Sequence, residues 1–386
     1  MQQIDLKKKE VRFTISNKHH ELRQTKSYFS LRGLLSGTEK DQFESVGPTK
    51  SGNKMAKVKF DVTTSRGNTV YGIELAGFPK DKVRYQHRTE EGSESFEVDW
   101  KDRYNKKVIE AMSNKAEVSL SFAKNVGFER VKYVDEKDGG KEKERTVRKE
   151  LLDYDAALEM IEKKKAGVIG DGTPIYVSGK VVPNSWVDSD GTLKRNIRLQ
   201  PDTINVTAPI DLDALDEDAE RKSATFNSEI VVKEFNEFNG EIYMTGILVG
   251  YDYIEEVEFK FDKPSVAETF RKNLKPYTMI KCMGVIKQEA QEEEIVEDKE
   301  LSSWGNAEDY STKRTGRTKM VWKIGVGDPK TIDTESYSEE KVEQAKLALK
   351  AWKEDYKAGK EKETVKEETN MDDFGSAADF DDSEFD

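Results

Sequence analysis

The sequence has one cysteine and three histidines among 386 residues, so the side chains that build disulfides and most zinc sites are nearly missing. Cys282 has no partner for a disulfide within one chain, and its place on the expected inward side of a strand makes it a small core residue. His19, His20 and His87 beside a single thiol form no zinc pattern. No run approaches the roughly 18 apolar residues of a membrane span, and the opening MQQIDLKKKE lacks a signal-peptide core. The expectation is a soluble, cytoplasmic protein. Apolar residues are scarce at 35%, while 36% are charged, against about a quarter in average globular chains. The length allows two or three domains, and the composition favours small domains with much solvated loop over one large enzyme core.

Signals for catalysis are equally thin. Residues 47–54, GPTKSGNK, approach a phosphate-binding loop, but Asn53 stands where lysine is required and Lys54 where a hydroxyl would bind Mg²⁺. A flexible hairpin loop is the better reading. Carboxylates are abundant but sit in charge runs, so spacing gives no support to paired-acid catalysis. No enzyme, cofactor or metal is expected.

What the chain does have is charge, unevenly spread. Residues 1–210 hold 39 Lys and Arg against 32 Asp and Glu, a balance of +7; the remainder holds 25 against 44, or −19, giving −12 in all. Such asymmetry points to a basic binding half and an acidic, partner-facing half.

The clearest pattern lies at 225–286. Two β-rich runs, 226–235 and 241–251, flank Asn239-Gly240, a pair that tolerates the positive φ of a tight hairpin. In 254–261, Val257, Phe259 and Phe261 alternate with Glu256, Glu258 and Lys260, the period of a half-buried strand. Pro264 and Ser265 open a helix, with Glu268 completing a capping box, and Val266, Phe270 and Leu274 share one face before Pro276. Strands at 278–287 and 319–326 follow. Three strands, a helix and two strands resemble the element order of an OB-fold barrel.

The first half repeats that order. Strands are expected at 27–35, 55–63 and 69–76, the last two joined by a turn at 65–68 that includes Arg66. Residues 78–150 read as an insertion, with β-like runs at 117–122 and 127–134 and a charged loop at 135–149 expected to be disordered. A helix marked by Leu151, Tyr154, Leu158 and Ile161 ends near Gly167, and strands at 173–182 and 193–199 close the unit. Thr-Pro-Ile-Tyr-Val at 173–177 parallels Thr-Met-Ile-Lys-Cys at 278–282. The expected architecture is therefore mainly β with accessory helices: tandem OB-fold-like barrels and a disordered acidic C-terminal tail. Its parts are an N-terminal extension (1–26), a first barrel (27–210, insertion 78–150), an acidic linker (211–224), a second barrel (225–330), a C-terminal helix (331–360) and the tail (361–386). In that helix Ser336 with Glu339 is the expected cap, and Val342, Ala345, Leu349, Trp352 and Tyr356 form the buried stripe.

Residues expected on the outside of the first barrel are Tyr28, Arg32, Lys57, Lys59, Tyr176, Lys180, Lys194 and Arg198, with Arg66 in a turn and Trp186 before the last strand. Cations interleaved with rings suit a single nucleic-acid strand, because charge neutralises phosphates while rings stack on bases of any sequence. The second barrel, with Glu256 and Glu258 outside, is expected to contribute less, through Trp304, Lys313, Arg314 and Arg317 of a long loop or through protein contacts.

The last sixteen residues, MDDFGSAADFDDSEFD, hold seven acids, no base and three phenylalanines. Acid with spaced aromatics is what a docking peptide needs to enter a basic, apolar-floored pocket. Asp372-Asp373-Phe374, Phe380-Asp381-Asp382 and Phe385 resemble the tails of single-stranded DNA-binding proteins of bacteria and their phages, although Asp386 follows the last aromatic. The resemblance implies a protein that coats single-stranded DNA in replication, recombination and repair. Its tail would recruit a polymerase, helicase or primase, and a phage-encoded copy would act in the host cytoplasm. A non-enzymatic scaffold or virion assembly protein is the alternative, and a nuclease or NTPase with an unrecognised site a third.

Overall fold

A computed structural model describes residues 19–49, 53–89, 92–113, 117–135, 141–187, 193–238, 240–290 and 318–357. The first half runs β1 (Ser27–Ser36), β2 (Glu44–Pro48), β3 (Lys54–Ser65), β4 (Asn68–Gly77), β5 (Lys82–Thr89), β6 (Gly92–Asp99), α1 (Lys106–Met112), β7 (Val118–Leu120), β8 (Lys124–Asp135), β9 (Lys141–Leu151), α2 (Asp153–Lys165), β10 (Pro174–Val187) and β11 (Leu193–Val206). The second half runs α3 (Glu217–Ser223), β12 (Ala224–Phe238), β13 (Glu241–Val249), β14 (Ile254–Phe261), α4 (Pro264–Asn273), β15 (Met279–Ala290), β16 (Thr318–Asp333) and α5 (Glu339–Lys357).

Each half closes a five-stranded barrel. β1 pairs with β3 and β10, β3 with β4, β10 with β11, and β11 meets β4 in parallel at Leu199 and Ile73. In the second barrel β12 pairs with β13 and β15, β13 with β14, and β15 with β16, while β14 meets β16 in parallel at Phe261 and Ile324. Both rings have the order one-two-three-five-four with a helix after the third strand, which is OB-fold topology. The alternation that suggests the strands also fills them: Ala56, Val58, Phe60 and Val62 are buried on β3, and Val257 and Phe259 on β14. Helix α2 packs Ala156, Ala157, Met160 and Ile161 into the first core, with Asp153 and Asp155 in its first turn and Lys163 to Lys165 in its last, matching its dipole.

The barrels are fused through their first strands, β1 antiparallel to β12, with Phe29 opposite Phe226. The parallel between 173–177 and 278–282 continues into the geometry. Six residues past each threonine stands a glycine, Gly179 opposite Phe29 and Gly284 opposite Phe226, each at a shift of strand register. A Cβ on Gly179 would lie 2.0 Å from the Gln200 carbonyl oxygen, and one on Gly284 2.0 Å from that of Lys323. The fourth strand of each barrel thus needs a bare backbone where it crosses the fifth.

Several expectations are corrected. The charged loop at 135–149 is largely β9, an antiparallel partner of β8; its lysines and glutamates carry no apolar alternation, and cross-strand ion pairs such as Arg130–Glu144 (2.9 Å) accompany the backbone ladder. Gly47 and Pro48 of the expected loop at 47–54 belong to β2, and the acidic linker contains α3, capped where Asp216 accepts the Ala219 N–H at 2.7 Å. Ser265 is not a cap: α4 starts at Pro264, whose missing N–H suits that position, and Lys263 precedes it. The hydroxyl facing the first turn of α5 belongs to Ser338, which accepts the Lys341 N–H, while Ser336 donates its own N–H to Asp333.

The N-terminal extension and α5 belong to the second barrel's body. Leu22 and Tyr337 share a core with Val342, Ala345 and Leu349 against β12, β13 and β14. Thr25 bonds both the N–H and the C=O of Val249, and the Tyr337 hydroxyl donates to the Arg23 carbonyl. His20 is buried with Nε2 2.8 Å from the Gly250 carbonyl, and desolvation lowers its pKa below the usual 6.5 despite that bond and nearby Asp252. Residues 291–317 and 358–386, with the long loop and the tail, lie outside the described residues.

Two measurements check this account. Gly179→Ala and Gly284→Ala should each lower stability by on the order of 3 kcal/mol in chemical denaturation, because a backbone carbonyl cannot yield to the added methyl. A depressed folded pKa means the unfolded chain binds the His20 proton more readily. The stability it contributes is therefore full above about pH 6.5 and lost as pH falls below it. The wild-type melting temperature should drop between pH 7 and 5 more steeply than that of His20→Gln.

Candidate nucleic-acid interface

The register places Tyr28, Arg32, Tyr176 and Lys180 on one patch. On β1 and β10, Tyr28 stands opposite Lys180 and Arg32 opposite Tyr176, with Ser30 between them donating its hydroxyl hydrogen to the Tyr176 oxygen at 3.2 Å. Tyr28 is 44% exposed, and Arg32 and Lys180 are exposed too. Among the described residues neither cation has a carboxylate partner. Ring and charge therefore alternate both along and across the two strands.

Lys57 and Arg198 lie further round the cylinder, and there the expectation needs correction. Glu74 on β4 takes Lys57 at 2.9 Å and Arg198 at 3.9 Å, and Arg198 is only 4% exposed. Its outward register does not make it accessible; a guanidinium this deep requires a carboxylate, and Glu74 supplies it. Arg198 stands opposite Val182, two residues from Lys180, so the two groups are contiguous. Lys59, directly across from Glu74, is half-buried and has no carboxylate partner of its own among the described residues. The expected single face is thus a belt that bends around β3, β4, β11, β10 and β1, with one shared carboxylate at its centre.

Arg66 is outside the belt. It is exposed in the β3–β4 turn, lining a shallow cavity of about 500 Å³ with Asp211 and Asp213. Trp186 and Lys194 oppose each other in the β10–β11 hairpin, but their side chains lie outside the described residues, as do Trp304, Lys313, Arg314, Arg317 and the tail residues Asp372, Asp373, Phe374, Phe380, Asp381, Asp382 and Phe385.

One pair was not foreseen. Tyr71 on β4 is 47% exposed with the Lys40 ammonium 5.5 Å from its ring centre, and Lys40 also bonds Asp61 at 2.6 Å, which raises its pKa. Tyr71 is an outward aromatic in a recognised strand, a signal that was present; Lys40 comes from a loop, and only the fold brings it there.

On the second barrel several strand cations are paired internally. Lys233 pairs with Glu256 at 2.7 Å, Lys319 with Glu258 at 3.2 Å, and Lys260 and Lys323 share Glu289 at 2.8 and 2.5 Å. Burial alone would lower the Lys260 pKa, but its hydrogen bonds with Glu289 and Tyr243 raise it above the usual range. Glu289, which burial would raise, is held low by the two lysines. Among the described residues no group of three His, Cys, Asp or Glu is placed to hold a metal ion, and no helix is long and apolar enough to cross a membrane.

Two fused OB-type barrels, the first with a cationic and aromatic belt, define the class of this protein. The chain belongs to the YorF family, whose sequence profile matches residues 27–370. No curated protein matches it. Among solved structures it is similar to the single-stranded DNA-binding protein of Thermus aquaticus: 12% identity over 69% of this chain and 87% of that one for the wild type, and 13% over 71% and 97% for a deletion mutant, each at a TM-score of 0.31. At that score the shapes differ too much for the likeness to bear on function.

The shared carboxylate gives a direct check. Glu74→Gln removes the carboxylate that Lys57 and the buried Arg198 share and should cost about 3 kcal/mol, read from the denaturation midpoint. An unchanged midpoint would mean that the pair is solvated and the belt's centre wrongly drawn.

Proposed function

We propose that this protein binds single-stranded DNA without regard to sequence, coats it in bacterial or phage replication, recombination or repair, and performs no chemistry of its own. The observation that carries the reading is the crossed pairing on β1 and β10, where Tyr28 faces Lys180 and Arg32 faces Tyr176 with no carboxylate attached to either cation among the described residues. Cations already paired inside a protein release few counterions on meeting phosphates; these two are still available to do so. The exposed Tyr28 ring and the half-buried Tyr176 ring can stack on bases only where the bases are unpaired, which favours a single strand over a duplex. The acidic tail would compete with DNA for the belt and, when displaced, recruit replication proteins through its phenylalanines.

A second reading, an assembly protein, is favoured by one observation. The row from Lys180 through Tyr28 and Asn227 continues across the second barrel to exposed Met283 and Val326, an apolar stretch suited to a protein partner. That reading expects concentration-dependent association abolished by Met283→Glu, and no effect of charge reversal on β1 and β10.

Under the leading reading, Arg32→Glu with Lys180→Glu should weaken oligo(dT) binding by on the order of tenfold or more and reduce the steepness of its salt dependence. Wild-type affinity in the double variant overturns it. Removing residues 371–386 should leave DNA affinity equal or higher while abolishing recruitment; a fall in affinity would show that the tail does not compete for the belt.

A further inference from the structure

The inserted β8–β9 hairpin adds Val126 and Phe128 to the core at its base, but its outer part belongs to neither barrel. Its root is held where Asn125 to Gly127 run beside Thr203 to Asn205 of β11, but beyond Gly127 the two strands pair only with each other. Such a ribbon is marginal in water, yet this one exposes Val131, Tyr133, Val134 and Val147.

Its two faces differ. On one, Arg130 pairs with Glu144 at 2.9 Å and Lys132 with Glu142 at 3.9 Å, so the charges cancel. On the other, Val131 stands opposite Arg145, Tyr133 opposite Lys143 and Val147 opposite Glu129. The Arg145 guanidinium lies 5.3 Å from the centre of the Tyr133 ring, and Glu129 is drawn away to Lys163 on α2 at 2.5 Å, a pairing that lowers the Glu129 pKa. This second face thus presents cation, ring and aliphatic surface, with its one described carboxylate already engaged.

We infer that this face of the β8–β9 ribbon is a second contact for a single nucleic-acid strand, extending the path that starts on the belt. The inference rests on the single-strand reading above. Tyr176, Asn205 and Gly127 stand in one row across β10, β11 and β8, so the ribbon begins about 10 Å from the belt. Tyr133 lies six residues further out, about 20 Å along the strand. A chain leaving Tyr176 and Lys180 meets Tyr133 and Arg145 next, where a guanidinium resting on a ring gives bases a stacking platform and phosphates a counter-charge. A duplex, with its base faces hidden, gains only the charge.

The test compares oligo(dT) of about 8 and about 30 nucleotides binding to the full chain. Tyr133→Ala with Arg145→Glu should weaken the long oligomer by about tenfold or more and leave the short one within about twofold. Lys132→Glu, on the self-neutralised face, should change neither. If wild type binds the long oligomer and the double variant binds it equally well, or if Lys132→Glu costs as much, the ribbon contact is refuted while the belt stands. Equal losses for duplex and single strand would likewise exclude a base-stacking contact. If wild type binds no single strand at all, both readings fall.

Discussion

The structure depends on how β1 and β12 divide their edges. One edge of β1 follows β10 along most of its length; the other serves β12 from Ser27 to Leu31 and then β3 from Leu34 to Ser36. β12 does the same, giving Ala224 to Ser228 to β1 and Val231 to Phe238 to β13. The change of partner on β1 occurs at Gly33, where a Cβ would lie 2.1 Å from the Thr63 carbonyl oxygen. No side chain fits at that crossing, so fusion of the barrels and closure of the first are set by the same few residues. The result is a continuous outer surface from β11 to β16, and a hydrophobic core shared from Phe29 to Trp322.

Electrostatics separates two barrels of like topology. In the second, Glu241, Glu256, Glu258 and Glu289 pair with lysines of neighbouring strands. In the first, Glu74 takes two cations at the centre of the belt, while Arg32, Lys59 and Lys180 have no carboxylate partner among the described residues. The uneven charge of the chain therefore has a structural form.

Much of this was legible from residue order. Period-two alternation located the strands of both barrels, and the same parity put Tyr28, Arg32, Lys57, Lys59 and Lys180 outside. The Thr173 and Thr278 parallel marked a real correspondence, since it leads to Gly179 and Gly284. Other features depend on partners that alternation cannot reveal. β9 has no apolar alternation of its own, and β2 and α3 are short and polar. Burial of Arg198 follows from what lies beside it once the cylinder closes, and that same curvature turns an outward set into a belt and leaves Arg66 beside the acidic linker.

The central claim is that the uncompensated cations and rings of the first barrel engage a polyanion with unpaired bases. Its most direct test is the affinity of the intact chain for oligo(dT) as a function of salt. The account predicts that log affinity falls linearly with log salt, by about 0.7 for each phosphate neutralised, and changes little with base sequence. Affinity indifferent to salt, or a preference for duplex over single strand, would contradict it.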